Sequence, residues 1–273
     1  MVEGPAGADG AARAAVLAPR LGVPPEEYAR GWREGQETLA RAGGANEVVL
    51  WFEQDLFCAV NLWFVLDRLP PTTPVSLVFP HLTDAFEGLG TSTADDFMPL
   101  FEQRTRLDST ACAEARALWG AYAGPDPTTF ARIPGGGLPF ARKAVRLHLG
   151  RFPSSSNGLD EIEMATLHEL VSGPRAFPAL FRAVMHPPPL REHGMGDVQY
   201  AAALRDLQPL LTIDAPAAPF ADWRVALAPD GREVLGDRLD GLATRLLDRW
   251  LGGVHLRPGA RLWRWDGSRI LRE

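Results

Sequence analysis

The sequence predicts an α/β N-terminal domain with a small, mainly parallel sheet, followed by a C-terminal winged-helix-like α+β domain. Three observations predict it. Residues 47–52 and 75–79 are short, strongly apolar runs, and residues 56–69 between them are apolar around most of the helical circumference. Strand, buried helix and strand in about thirty residues form a βαβ unit, which implies a parallel pair. Downstream, three helical segments precede a hairpin and a closing helix, the order of a winged helix.

Each element has a local reason. Residues 1–8 are rich in Gly and Ala and read as loose. Residues 11–21 and 25–42 read as helices; Pro24-Pro25 opens the second and Gly43-Gly44 closes it. Pro70 and Pro71 stop the helix over 56–69. Residues 81–93 follow the second strand as a loop containing Gly and Thr, at the same sheet edge as Glu53 and Asp55. Helices are expected over 95–103, 109–123, 127–133 and 138–149, with Gly135-Gly136-Gly137 as a flexible joint. The domain boundary falls within 134–158, giving domains over 1–150 and 151–273.

In the second domain, residues 160–172, 177–185 and 197–207 read as helices, with Asp197 as N-cap of the third. Residues 210–213 and 223–227 pair as the hairpin, and Pro229 begins the closing helix. A Trp-rich tail follows, with Trp250, Trp263 and Trp265 beside Arg249 and Arg264. The tail reads as a lock for a terminal hairpin rather than a stacking platform for bases.

Composition narrows the function classes. A formal charge of −6 argues against a general polyanion binder. Lys143 is the only lysine, an arginine bias that reads as codon composition. Cys58 and Cys112 have neither metal-type spacing nor a disulfide framework. The apolar run around residues 62–66 is too short to span a bilayer. Residues 1–10 lack the basic-then-apolar order of a signal peptide. The expected location is cytoplasmic, with no membrane partner.

The segment Leu50-Trp51-Phe52-Glu53-Gln54-Asp55-Leu56-Phe57 carries the candidate chemistry. If the strand continues to Asp55, Glu53 and Asp55 share a face. Acids at the carboxyl end of a buried strand stand where open α/β sheets bind ligands. Two readings stand: a metal or acid–base pair, or a helix cap at Asp55 with an ion-paired Glu53. Gln54 points to the opposite face. Asn61 and Cys58 lie one helical turn apart, and Cys58 reads as a small buried hydrophobe. His81, also a catalytic candidate for proton transfer beside Glu53 and Asp55, completes the candidate ligand set with Thr91 and Ser92. His186 and His193 flank a Pro-rich loop and read as surface residues, and Asp95-Asp96 as a favourable helix start. Residues 154–158 read as a linker whose Asn-Gly turn caps the next helix.

Four segments together resemble the bacterial family called domain of unknown function 1835. They are residues 50–57, Phe152-Pro153-Ser154 with Asn157-Gly158-Leu159, Gly196-Asp197, and residues 249–256 with Trp263-Arg264-Trp265-Asp266. The family usually carries His where this chain has Gln54, so no role of that His transfers. It also begins with a strand and turn well upstream of a Glu-Gly-Pro segment, which here is Glu3-Gly4-Pro5. The resemblance therefore implies a chain shortened at its N-terminus and a sheet lacking its first strand or two. It implies architecture and no established activity.

Two function classes follow. The first is a ligand-sensing or interaction protein, with a small molecule in the α/β cleft and a protein partner at the winged helix. The second is a metal- or acid/base-dependent enzyme using Glu53 and Asp55 on a small phosphorylated or nucleotide-like substrate. The sequence specifies no cofactor. Nucleic acid is a disfavoured partner: the recognition helix would offer Gln199 and Arg205 among alanines, with Asp197 and Asp206 offsetting the one arginine.

Overall fold

The computed structural model describes residues 1–81, 88–133, 135–260 and 262–273. The chain divides into two compact units. The first comprises Met1–Arg146 with Gly252–Val254, and the second Leu147–Leu251 with His255–Glu273.

The first unit opens with α1 (Gly10–Leu21) and α2 (Pro25–Ala42). Asp9 starts α1 by accepting the Ala12 N–H at 2.8 Å. A proline in the first turn starts α2, where its missing N–H is not needed. β1 (Val48–Trp51), α3 (Leu56–Arg68) and β2 (Val75–Val78) form the expected βαβ unit. β1 and β2 run parallel, with Val48 opposite Val75 and Trp51 opposite Val78. β3 (Thr105–Arg106) adds antiparallel to β2, so the sheet is mixed, with the order β1-β2-β3 and β1 at one edge. Its two exposed residues carry no strand pattern, which is why sequence reasoning missed it.

The all-round hydrophobicity of α3 is answered by its packing. Leu56, Val60, Leu62, Trp63 and Leu66 are buried, and the helix packs chiefly against α5 (Ser109–Tyr122). Trp63 meets Tyr122 and Phe130 edge-on, and Phe64 meets Trp119 in the same way. Such pairs prefer edge-to-face geometry because of the ring quadrupole. α4 (Ala94–Glu102) is opened by a capping box between Thr93 and Asp96, as the paired aspartates suggested. α6 (Pro127–Ala131) stops two residues short of its expected end. α7 (Ala141–Leu149) starts three residues late, because Phe140 sits at φ 64°, outside the right-handed helical region. The loop expected over 81–93 includes residues 82–87, which lie outside the described residues.

The second unit contains α8 (Glu161–Glu169), β4 (Arg175–Ala176), α9 (Phe177–Met185), α10 (Asp197–Asp206), β5 (Leu211–Asp214), β6 (Arg224–Leu227), α11 (Pro229–Leu235) and α12 (Gly241–Thr244). β4, β6 and β5 lie side by side in that order as an antiparallel sheet. Strand β5 alternates as a one-sided strand should, with Leu211 and Ile213 buried and Thr212 and Asp214 exposed. Phe177, Tyr200 and Trp223 centre the core. The chain finishes in two hairpins, β7 (Arg249–Leu251) with β8 (Val254–Leu256) and β9 (Trp263–Trp265) with β10 (Ile270–Arg272).

Three expectations are corrected here. The N-cap of α10 is Gly196; Asp197 lies one residue inside and accepts the Val198 N–H. α8 ends at Glu169 rather than 172. His186 is exposed but His193 is buried, because the single turn Leu190–His193 folds inward and brings Leu190 against the core.

A buried ion cluster holds the second unit together. Asp160 and Glu163 form the capping box of α8, Asp160 accepting the Glu163 N–H and Glu163 the Asp160 N–H. Glu163 also receives both terminal nitrogens of Arg245, at 2.9 and 2.6 Å. Arg249 Nη1 lies 3.0 Å from Asp160 and 3.1 Å from Glu163. Burial alone would push the Glu163 carboxyl up, but the two guanidiniums outweigh it and hold it well below its ordinary value. Breaking such a pair from one side costs about 3–5 kcal/mol, because an uncompensated charge stays buried. We therefore expect Glu163→Ala to lose stability on that scale in chemical denaturation. A loss under about 1 kcal/mol, typical of an exposed pair, would show that the cluster is not structural.

Candidate functional site

β1 ends at Trp51, before the two acids, so strand alternation does not place Glu53 and Asp55 on one face. Each carboxylate instead serves the backbone. Asp55 is the N-cap of α3 and accepts the Cys58 N–H at 2.6 Å. Glu53 accepts the Leu89 N–H at 2.5 Å. A Cβ on Gly88 would crowd the Glu53 carboxylate, and Gly88 stands at φ 143°, so that position suits glycine. Thr91 and Ser92 turn their hydroxyls back to the Gly88 carbonyl. Glu53, Thr91 and Ser92 thus form one local arrangement that fixes the segment following residue 87.

The other candidates are also engaged. Asn61 donates to the Phe57 carbonyl and accepts from the Met1 nitrogen, and so reaches neither carboxylate. Burial and the neighbouring Asp55 push the Cys58 thiol up to about 12, so it stays protonated and weakly nucleophilic. Gln199 folds toward Gly196, near where a Cβ would stand. Arg205 is exposed and lies over the Trp223 ring, 4.5 Å from its centroid. Arg249 is in the ion cluster, and Arg264 bridges Asp240 and Glu273 at 2.7 Å each. Trp250 is stacked on His255, with centroids 4.2 Å apart. Among the described residues, no three His, Cys, Asp or Glu side chains are grouped to hold a metal ion.

A concave feature of the first unit lies beside these residues. A cavity of about 600 Å³ is bordered by Gln54 and by residues 77–81 at the carboxyl end of β2. Leu100, Gln103, residues 105–108 around β3, Ala111, Gly137 and Pro139 complete its wall. His81 is the one residue of the sequence-derived ligand set that lines it. Gln54, given no catalytic role from the sequence, lines the cavity. Its side chain donates to the Phe79 carbonyl at 2.9 Å, and its N–H to Pro80. Gln54 therefore ties the two strand ends together. Gln103, Thr105 and Arg106 were missed; Gln103 caps the end of α4, and the other two form a two-residue strand that leaves no periodic signal.

No protein-family model matches the chain, nor does any curated protein or solved structure.

Asp55 gives this region a measurable pH response. Burial, with the nearby Glu53 charge adding to it, raises its pKa to about 6 against the pull of the Cys58 N–H. The folded chain thus favours the protonated acid. The resulting stabilisation is complete below the ordinary aspartate range and is lost as pH rises through about 6. Asp55→Asn retains an acceptor for the cap and does not titrate. Its stability relative to the parent chain should rise between pH 4 and 7 by on the order of 2–3 kcal/mol. A difference that does not vary with pH would remove Asp55 as the titrating group.

Proposed function

We propose that this protein is a ligand-sensing or interaction protein. Its first unit binds a small molecule in the cavity at the carboxyl end of β2, and its second unit is a winged-helix module that contacts a protein partner. The cavity carries the ligand half of this reading. It lies where α/β sheets expose strand ends and loops to ligands, and its volume suits a small organic molecule. The winged-helix half is supported by the order helix, strand, helix, helix, strand, strand, and by a sheet in which the last strand lies between the other two. The same reading retains the resemblance to the domain of unknown function 1835 family as an architectural proposal.

A protein partner suits the second unit better than a nucleic acid. The turn between β5 and β6, residues 215–223, contains no Lys or Arg. Along α10, Arg205 is the only basic residue. Backbone phosphates demand several cations on one face. The enzyme reading has less support: Glu53 and Asp55 both accept backbone N–H groups, and neither lines the cavity.

Two experiments test the two halves. A thermal-shift screen of small metabolites against the intact chain should give ligands that stabilise it, by about 2.7 kcal/mol at a hundredfold excess over Kd. Leu100→Trp, which fills the cavity, should abolish the effect. Ligands that stabilise both chains equally would place binding elsewhere. Titration with duplex DNA at low salt should show no binding; salt-sensitive binding lost on Arg205→Ala would overturn the protein-partner reading.

A further inference from the structure

We propose that the cavity of the first unit recognises an oxyanion, a carboxylate or phosphate on a small and partly apolar body, and that Glu114 occupies the anion's seat when no ligand is present. This rests on the ligand-binding reading above and names the chemistry of the ligand.

Three consecutive backbone amides converge on one carboxylate. The N–H groups of Gly136 and Gly137 donate to Glu114 Oε2 at 3.0 and 2.5 Å, and that of Leu138 donates to Oε1 at 3.3 Å. Successive N–H groups pointing into one concavity make a nest, an arrangement by which a backbone binds anions. A Cβ on Gly137 would stand 2.9 Å from Glu114 Oε2, a contact that a small shift of the flexible Glu114 side chain would relieve. The three amides let a negative group approach the backbone closely, and Glu114 supplies that group from α5.

The nest adjoins the cavity. It does so through Gly137, which lines the cavity with Ala111, one turn before Glu114 on α5; Gly136, Leu138 and the Glu114 carboxylate stand just outside that lining. Arg106 and His81 border the same space, so a cationic group and an imidazole are available to a second part of the ligand. Asp108 also lines it, but its carboxylate caps α5 through the Ala111 N–H at 2.8 Å. Leu77, Leu100, Leu107 and Pro139 supply apolar wall for the ligand's body. The segment carrying the nest is held in unusual backbone: Gly135 at φ 61° and Phe140 at φ 64°. For Phe140 that conformation is costly. Its ring meets Phe79, a cavity residue, at 6.4 Å in an edge-on pair, so the segment is anchored to the wall it borders.

Glu114 is half-buried on its helix, so its side chain can withdraw toward solvent when an external oxyanion takes its place. A ligand that engages the three amides and also reaches Arg106, which borders the cavity, gains a cation in addition to the nest. The competing view is that Glu114 only staples the glycine-rich segment to α5.

Isothermal titration of the intact chain with inorganic phosphate, and separately with acetate, distinguishes these views. Removing the resident charge by Glu114→Gln should tighten binding of at least one anion tenfold or more, and adding Arg106→Ala should reverse the gain. The stronger of the two anions identifies the phosphate or carboxylate class. Unchanged affinity in a folded Glu114→Gln protein would overturn the proposal and leave Glu114 a staple. If that variant does not fold, Glu114→Asp, which retracts the charge by one methylene, is titrated instead; a gain of threefold or more supports the proposal, and none overturns it. A neutral ligand lost on Leu100→Trp, with no anion response in any variant, would preserve the cavity reading while removing the oxyanion.

Discussion

A carboxylate that cannot reach water constrains the whole second unit. Glu163 is buried inside the first turn of α8, and a lone charge there would be prohibitively costly. It is tolerable only because Arg245 and Arg249 return to it from more than eighty residues downstream. The arginines are held in turn: Arg249 donates to the Arg151 carbonyl, and Arg245 to the carbonyls of Gly158 and Asp206. The start of α8, the turn before it, the end of α10 and the approach to β7 are thereby fixed by one set of charges. Hydrophobic packing around Trp223 and Tyr200 gives this unit its bulk, but it is non-directional. The ion cluster is directional, and it specifies which segment closes on which.

The first unit uses its acids differently. Asp9, Asp55, Asp108 and Asp126 each accept an N–H at the start of a helix. Glu53 and Glu114 do the same work for irregular backbone, at Leu89 and at Gly136 to Leu138. Carboxylates that look catalytic in a list of residues are here mostly backbone acceptors. The distinction matters for reading function. A cap at a helix start needs its charge where the amides point, so it is spent locally. The cavity is lined instead by side chains from β3 and the strand ends, which are less conspicuous in the sequence.

The βαβ unit was legible because its elements carry strong, separate signals. Two buried strands and a helix apolar on all sides can hardly be read otherwise, and prolines mark the helix end. The helices and hairpin of the second unit were legible for similar reasons, through Gly173-Pro174, the alternation of β5, and Pro229 at the first turn of α11. β3 and β4 were not, because a two-residue strand is defined by its partner and not by its own pattern. The cavity was only partly legible. His81 followed from its place after a strand, but Thr105 and Arg106 reach the site through pairing with the distant β2. The Glu114 nest was half visible: the three glycines announced an unusual backbone, but nothing local said that a carboxylate from α5 would fill it.

The arginine bias of the chain has a practical consequence at Lys143. Its ammonium lies over the Phe140 ring, 5.7 Å from the centroid, on the segment that borders the cavity. Guanidinium groups stay protonated and are poor targets for reagents that acylate amines. The chain thus carries one side-chain amine, exposed on α7 and close in sequence to the glycine-rich segment. A fluorophore coupled through that one lysine would report from a defined address with no cysteine introduced, the other amine, at Met1, being held against Asn61.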